Sequence, residues 1–174
     1  MDAYKFAPGI VAGSYIFPTD LGWLYTVSFI NKSNLFIEGS LLYNSQLSFE
    51  FQFERSPIDE HTKKGFDKCV ANTLSKVFLL HASSHGYLPI YIFICDITDG
   101  KEAARARLFS TWYESMETAD RQLINYELTD LDDNNRVYYT GIVLNENHPY
   151  FNDLLIEFEV YFKNNSMSKW ITRN

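Results

Sequence analysis

The sequence predicts an α+β domain with an antiparallel or mixed sheet of about six to seven strands and three helices packed mainly on one face. In the first third of the chain, hydrophobic residues alternate with polar ones, as they do in strands. From residue 66 onward, three segments repeat their apolar residues at the helical period. Because the strands do not alternate strictly with helices, an α+β sheet is favoured over a doubly wound parallel sheet.

The early part of the chain predicts four strands, at residues 14–17, 23–30, 36–43 and 47–54. The fourth is the most regular, because its phenylalanines alternate with Ser, Glu and Gln. That alternation predicts an aromatic face turned inward and a polar face in water. Turn residues separate the first two segments, so we expect these strands to form an antiparallel meander.

The rest of the chain predicts three helices and three strands. Residues 90–95 are apolar at every position, so this strand is expected to be covered on both faces. Asp99 is expected to cap the helix that follows it, with Glu102 completing a capping box. The predicted order is a helix at about 66–81, the strand 90–95, a helix at about 100–116, strands 124–128 and 137–144, and a helix after Pro149.

Length and charge limit the classes of function. The 174 residues predict a single domain over 1–174, with 164–174 as a polar tail that either frays or docks through Trp170. The net charge of −7 disfavours a partner that is nucleic acid. No apolar run approaches the ~20 residues that span a bilayer, so no membrane association is expected. The two cysteines, Cys69 and Cys95, and the absence of a signal peptide predict a reducing, cytoplasmic location.

The most informative segment is 94–112. It contains Ile-Cys-Asp at a strand end, an Asp-Gly-Lys turn, an Ala-Arg-x-Arg helix start and a Phe-x-x-Trp pair. In these motifs the chain resembles a small bacterial family of uncharacterised proteins, a domain of unknown function. The resemblance covers most of residues 14–116 and fades after that. It implies a single α+β domain and supplies no activity, substrate or catalytic residue.

The same segment holds the candidate ligand-binding residues Asp96, Asp99, Lys101, Arg105 and Arg107. One interpretation is a polar pocket at a helix N-terminus, where N–H groups and cations hold a phosphate or carboxylate. The other is structural: Asp99 caps the helix and Arg105 pairs with Asp96, which closes the junction without a ligand. We favour the structural interpretation, because caps and local pairs are much commoner than ligand sites.

Three further groups of residues have side chains that could take part in chemistry. His81 and His85 have the i,i+4 spacing of metal ligands, but no Glu follows His81, and no metal or other cofactor is expected. Cys95 ends an apolar strand, so burial is expected to raise its pKa and leave the thiol inert. The acid pairs are expected on the solvated surface; they are Glu157/Glu159 and Asp132/Asp133.

The aromatic residues lead to the predicted function. Four of them do not fit one core and are expected at a protein interface: Tyr138, Tyr139, Tyr161 and Trp170. We therefore expect a non-enzymatic interaction domain that binds a protein partner or forms a homodimer. The alternative is an anion- or nucleotide-binding domain, or a small enzyme, that uses the junction 96–107.

Overall fold

The computed structural model of the protein describes residues 3–63, 65, 67–86, 88–95, 100–114, 120–130, 136–165 and 169–172. The helices in these residues are a short 3₁₀ helix Ser33–Leu35, α1 Leu41–Asn44, α2 Lys68–Ser84, α3 Glu102–Glu114 and α4 Phe151–Asn165. The strands are β1 Ala7–Pro8, β2 Ser14–Pro18, β3 Trp23–Asn31, β4 Ser48–Pro57, β5 Ile90–Ile94, β6 Arg121–Asp130, β7 Arg136–Asn145 and β8 Lys169–Thr172. Within the described ranges, none of the helices is long and apolar enough to cross a membrane.

The chain divides into two compact units. The first comprises Met1–Ile30 and Phe51–Gly86, and the second comprises Asn31–Glu50 and Tyr87–Asn174. The prediction of one domain over residues 1–174 stays a prediction. In the tail, β8 pairs antiparallel with β6, so part of the segment 164–174 forms an edge strand.

In the first unit, strands β1, β2 and β3 pair antiparallel, which confirms the predicted meander for this part. The inward face of β3 carries Tyr25, Val27 and Phe29, all buried as their alternation predicts. Helix α2 packs its apolar stripe on this face, with the Phe78 ring centroid 6.3 Å from that of Phe29. The side chain of Asp67 caps α2 by accepting a hydrogen bond from the Cys69 N–H.

In the second unit, the strand order is β4-β5-β7-β6-β8. Strand β4 runs parallel to β5, while the other pairings are antiparallel, so the sheet is mixed. The mixed sheet and the three long helices confirm the predicted α+β class. The core of this unit is a cluster formed by Phe36, Leu42, Ile90, Ile92, Tyr126, Ile142, Leu144, Leu154 and Phe158.

Residues 90–93 of β5 are buried on both faces, as the unbroken apolar sequence predicts, whereas Ile94 is 48% exposed. Ile92 belongs to the cluster that includes Phe158 of α4. Phe93, the next residue, points to the opposite face, where its ring lies 4.1 Å from the ring centroid of Phe109 in α3. Helices α3 and α4 therefore lie on opposite faces of β5, so the expectation that the helices pack mainly on one face is wrong for these two helices.

The predicted strand at 36–43 is wrong. This part of the chain leaves the 3₁₀ helix, turns at Gly39 and enters α1. The Ser40 hydroxyl caps α1 by accepting from the Tyr43 N–H. An α-helical turn forms here because its free backbone N–H groups find hydrogen-bond acceptors. The spacing of the apolar residues alone does not reveal those acceptors.

The prediction that Glu157 and Glu159 are solvated surface is also wrong. The two carboxylate oxygens of Glu157 accept hydrogen bonds from the Leu41 and Leu42 N–H groups, at 2.8 and 2.9 Å. Glu159 forms a hydrogen bond with the Tyr126 hydroxyl, and burial together with this carboxylate raises the pKa of Tyr126. Both acids of α4 therefore bind groups of the protein itself. The pair Asp132/Asp133 lies outside the described residues.

Glu157→Ala should lower the free energy of unfolding by about 1–2 kcal/mol, because two N–H groups of α1 lose their acceptor. Urea denaturation measures this loss. The matched control is Glu114→Ala, which removes an exposed glutamate from α3. Equal stability of the two variants would contradict the capping role of Glu157.

Candidate functional site

The predicted junction between β5 and α3 is described only in part. Cys95 is fixed at the end of β5 by a hydrogen bond of 2.9 Å from its N–H to the Tyr139 carbonyl. Asp96 and Asp99 lie outside the described residues, so neither the cap nor a pairing of Asp96 with Arg105 is tested. Gly100 has the left-handed conformation, with φ 69°, and α3 begins two residues later.

The three candidate cations at this junction differ in exposure. Lys101 and Arg107 are exposed, whereas Arg105 is half-buried. Arg105 is joined to Lys101 through its backbone, since its N–H donates to the Lys101 carbonyl. Its guanidinium charge acts on the thiol of Cys95, because it opposes the increase in the pKa of that group. The structure thus brings Arg105 into the surroundings of Cys95.

Cys95 is not an activated nucleophile. Burial raises the pKa of its thiol to about 11, and the Glu102 carboxylate contributes to the increase. At neutral pH the group is a protonated thiol, which is a poor nucleophile and a poor metal ligand. The expected increase in the pKa of the Cys95 thiol is confirmed.

The sequence predicted Glu102 only as part of the helix cap at this junction. Its Oε2 atom is buried, and it has no hydrogen-bond partner among the described residues. The carboxylate lies close enough to Cys95 to affect the pKa of the thiol, as does Arg105. Glu102 and Arg105 both act on Cys95, so the surroundings of the thiol include an acidic side chain as well as a cation, which weakens the case for binding an anion there.

His81 and His85 lie next to each other on α2, packed ring on ring. Their rings are stacked, with centroids 4.6 Å apart, and His81 also stacks on Phe29 at 3.9 Å. No group of three or more His, Cys, Asp or Glu side chains in the described part of the chain could hold a metal ion. His81 is instead a buried component of the first unit's core.

Two of the four aromatic residues expected at an interface contact the second unit's core. Tyr161 packs its ring on Phe36, with centroids 5.0 Å apart, and Tyr138 packs against the second unit's core. The surface carries exposed aliphatic side chains instead. Ile10 and Val11 are the most exposed of these, at 105% and 70%, and they lie in the turn between β1 and β2.

The turn 9–13 is held in one conformation by hydrogen bonds on both sides. The Gly9 N–H donates to the Ser14 carbonyl at 2.9 Å. The Val11 carbonyl accepts from both the N–H and the hydroxyl of Ser14, at 3.0 and 2.6 Å. Gly13 has a φ of 75°, which a residue with a side chain rarely adopts, and its carbonyl accepts from Phe29. Ile10 and Val11 are thus presented to solvent by a rigid turn.

Lys101→Ala should leave the free energy of unfolding within about 0.5 kcal/mol of the wild-type value, because the side chain is exposed. Thermal or urea unfolding measures the difference. A loss of several times that size would mean that the Lys101 ammonium stabilises the junction.

Comparison with known proteins places the chain in a family. No curated protein and no solved structure matches it. A family model described as a family of unknown function, DUF6169, matches residues 66–160. The matched range includes the segment 94–112, continues through β6, β7 and most of α4, and begins after the early strands. Since the match covers more than half of the 174 residues, the chain belongs to the family of unknown function DUF6169.

Proposed function

We propose that the chain is a non-enzymatic protein-interaction domain of the bacterial cytoplasm, and that its turn 9–13 binds an apolar pocket on a partner protein. The observation that carries the proposal is the full exposure of Ile10 beside Val11. Adjacent aliphatic side chains at the tip of a turn gain free energy when a pocket removes them from water. Such anchors in the centre of an interface commonly supply most of the binding energy.

The rigidity of the turn supports this function. A loop that is already ordered loses little conformational entropy on binding, so more of the contact energy appears as affinity. The double hydrogen bond to the Val11 carbonyl and the bond from Phe29 to Gly13 provide that order. The net charge of −7 favours a protein partner over an anionic lipid surface or a nucleic acid, since both would repel the chain.

The test is affinity capture from an extract of the source cells, with the full chain immobilised and retained proteins quantified by mass spectrometry. Ile10→Asp should reduce the specifically retained partner by more than about 10-fold, as removal of a central anchor does. The matched control, Ala12→Asp, places the same charge at an exposed position of the same turn and should retain the partner. Equal retention by the two variants would contradict the proposal, as would a wild-type chain that retains nothing above bare beads.

The second candidate is an anion- or nucleotide-binding function at the junction that the sequence singled out. The exposure of Lys101, just before α3, and of Arg107, in the second turn of α3, favours it. Inorganic phosphate and adenosine triphosphate are suitable probes in a thermal-shift experiment. A ligand at about 100 times its dissociation constant would stabilise the protein by about 2.7 kcal/mol. We expect neither probe to change the melting temperature.

A further inference from the structure

The start of helix α4 is held by two acceptors of one residue, His148. Its ring atom Nδ1 accepts from the Tyr150 N–H at 3.1 Å, and its carbonyl accepts from the Phe151 N–H at 3.0 Å. Pro149 has no N–H, so the Tyr150 N–H is the first donor after His148 itself. The Tyr150 carbonyl accepts from the Leu154 N–H and closes the first turn of the helix. The His148 ring thus binds the N–H two residues on, as an Asp or Asn side chain does in an Asx turn.

The hydrogen bond from Tyr150 fixes the protonation state of the His148 ring. A ring nitrogen that accepts from an N–H uses its lone pair, so Nδ1 carries no hydrogen. In the neutral ring the hydrogen therefore lies on Nε2. When the ring takes up a second proton, both nitrogens become donors, and the Nδ1–H then faces the Tyr150 N–H. Protonation of His148 and this hydrogen bond consequently exclude each other.

The surroundings of the ring also favour its neutral form. His148 is 9% exposed, and burial lowers the pKa of its imidazole. The first turn of a helix carries a partial positive charge, which disfavours a cation beside it. Burial is the one cause of the lowered pKa among the described residues, so the titratable and charged side chains of the neighbouring segments do not offset it. Those side chains are Asp120 before β6, Arg121 of β6, Glu146 after β7, Tyr150, and Asp153 of α4.

We infer that His148 is an acid-sensitive switch of helix α4, whose neutral ring holds the first turn of the helix and whose protonation releases that turn. Release affects the core of the second unit, because Leu154 in this turn is buried there and Phe151 packs against the same cluster. The inference goes beyond the proposed function, since it concerns a conformational change within the second unit and needs no partner.

The pH range of the switch follows from the direction of the pKa shift. The released turn returns the ring to its ordinary pKa of 6.5, whereas the folded turn keeps the pKa lower. Below pH 6.5 the released state therefore binds more protons than the folded state, and acid favours release. The stabilisation by neutral His148 is complete above this pH and is lost as the pH falls towards the lowered pKa of the folded ring.

Amide hydrogen exchange of the full chain, followed by NMR between about pH 7 and pH 5, measures the release. In His148→Asn, the Asn side-chain oxygen accepts from the Tyr150 N–H at every pH, as in an Asx turn. The protection factors of Phe151 and Leu154 should fall about 5-fold more in the wild type than in this variant, because only the wild type loses the hydrogen bond. His81 titrates in both proteins, so its effect cancels in the comparison. Equal pH dependence in the two proteins overturns the inference.

The matched control is His61→Asn, which makes the same change at a side chain that is 84% exposed. It should show the pH dependence of the wild type at the start of α4. Ile10→Asp should show it as well, which separates this inference from the proposed function.

The position of the ring hydrogen gives a second test, which needs no variant and remains decisive if His148→Asn fails to fold. At neutral pH, the nitrogen chemical shifts of the His148 ring should show the hydrogen on Nε2 and the lone pair on Nδ1. The Tyr150 amide signal should shift with the same midpoint as the ring on acidification. A hydrogen on Nδ1 at neutral pH overturns the inference, and so does a ring that takes up its proton while the protection of Phe151 and Leu154 stays unchanged.

Discussion

Replacing Gly141 by valine is expected to lower the free energy of unfolding by about 3 kcal/mol, because it overfills a packed core. Gly141 lies on β7 directly opposite Phe93 of β5. A Cβ atom at this position would overlap the edge of the Phe93 ring and come within 2.9 Å of the Ile124 carbonyl oxygen. The Phe93 ring cannot move away easily, since it is buried and packs on Phe109.

Urea denaturation of Gly141→Val measures this effect. The matched control is Gly65→Ala, where the nearest atom to an added Cβ is a Leu21 methyl at the ordinary distance of 3.6 Å. That control should change stability by less than about 0.5 kcal/mol. Combining Gly141→Val with Phe93→Ala should recover part of the loss caused by the valine. A single Gly141→Val variant as stable as the wild type would contradict the packing of β5 against β7.

Acidification from pH 7 to pH 4 is expected to cost the protein about 3 kcal/mol through His81 alone. Burial lowers the pKa of this ring from 6.5 to about 4, and the neighbouring His85 adds to the shift. In the unfolded chain the pKa returns to its ordinary value, so between these pH values the unfolded state binds the additional proton. The contribution of neutral His81 is therefore complete above pH 6.5 and is lost as the pH falls towards 4.

The measurement is the difference in unfolding free energy between the wild type and His81→Leu at each pH. Carboxylates, and His148 with its own lowered pKa, titrate in both proteins and cancel in this difference. The wild type should lose about 3 kcal/mol more than the variant between pH 7 and pH 4. His61→Leu, at an exposed position, should follow the wild type. Parallel curves for the wild type and His81→Leu would mean that folding does not lower the pKa of His81.

The spacing of apolar residues predicted most of the helices and strands, because in these elements the apolar residues that repeat at the helix or strand period are the buried ones. In β3 and β4, every second side chain is apolar, and Val27, Phe49 and Phe51 are buried accordingly. In α2, the stripe that includes Leu74 and Phe78 is buried in the same way. Strand β5 lacked alternation, and that absence correctly predicted cover on both faces.

The segment 36–43 could not be predicted in this way, since its structure depends on a distant residue. Glu157, which lies 116 residues beyond Leu41, supplies the acceptor for the first N–H group of α1. The apolar residues of this segment fit a strand as well as a helix, so local sequence does not decide between them. The same bond explains why the Glu157 side chain is not a surface charge.

The sequence predicted which charged residues belong to the candidate site, but not how their side chains are arranged. Sequence placed Lys101, Arg105 and Arg107 on one helix, but their different exposure depends on how α3 packs against the sheet. The exposure of Ile10 and Val11 was not predicted, because an apolar residue is expected inside unless the backbone forbids it. Gly9 and Gly13 on either side of the turn were the available signal.

The most direct test of the proposed function compares which substitutions cause the loss of partner binding. Wild type, Ile10→Asp and the double variant Lys101→Ala/Arg107→Ala are immobilised at equal density, and the protein retained from the same extract is quantified. The interaction proposal predicts that retention falls more than about 10-fold for Ile10→Asp and stays at the wild-type level for the double variant. Normal retention by Ile10→Asp together with loss in the double variant would contradict the proposal and assign binding to the junction at the start of α3.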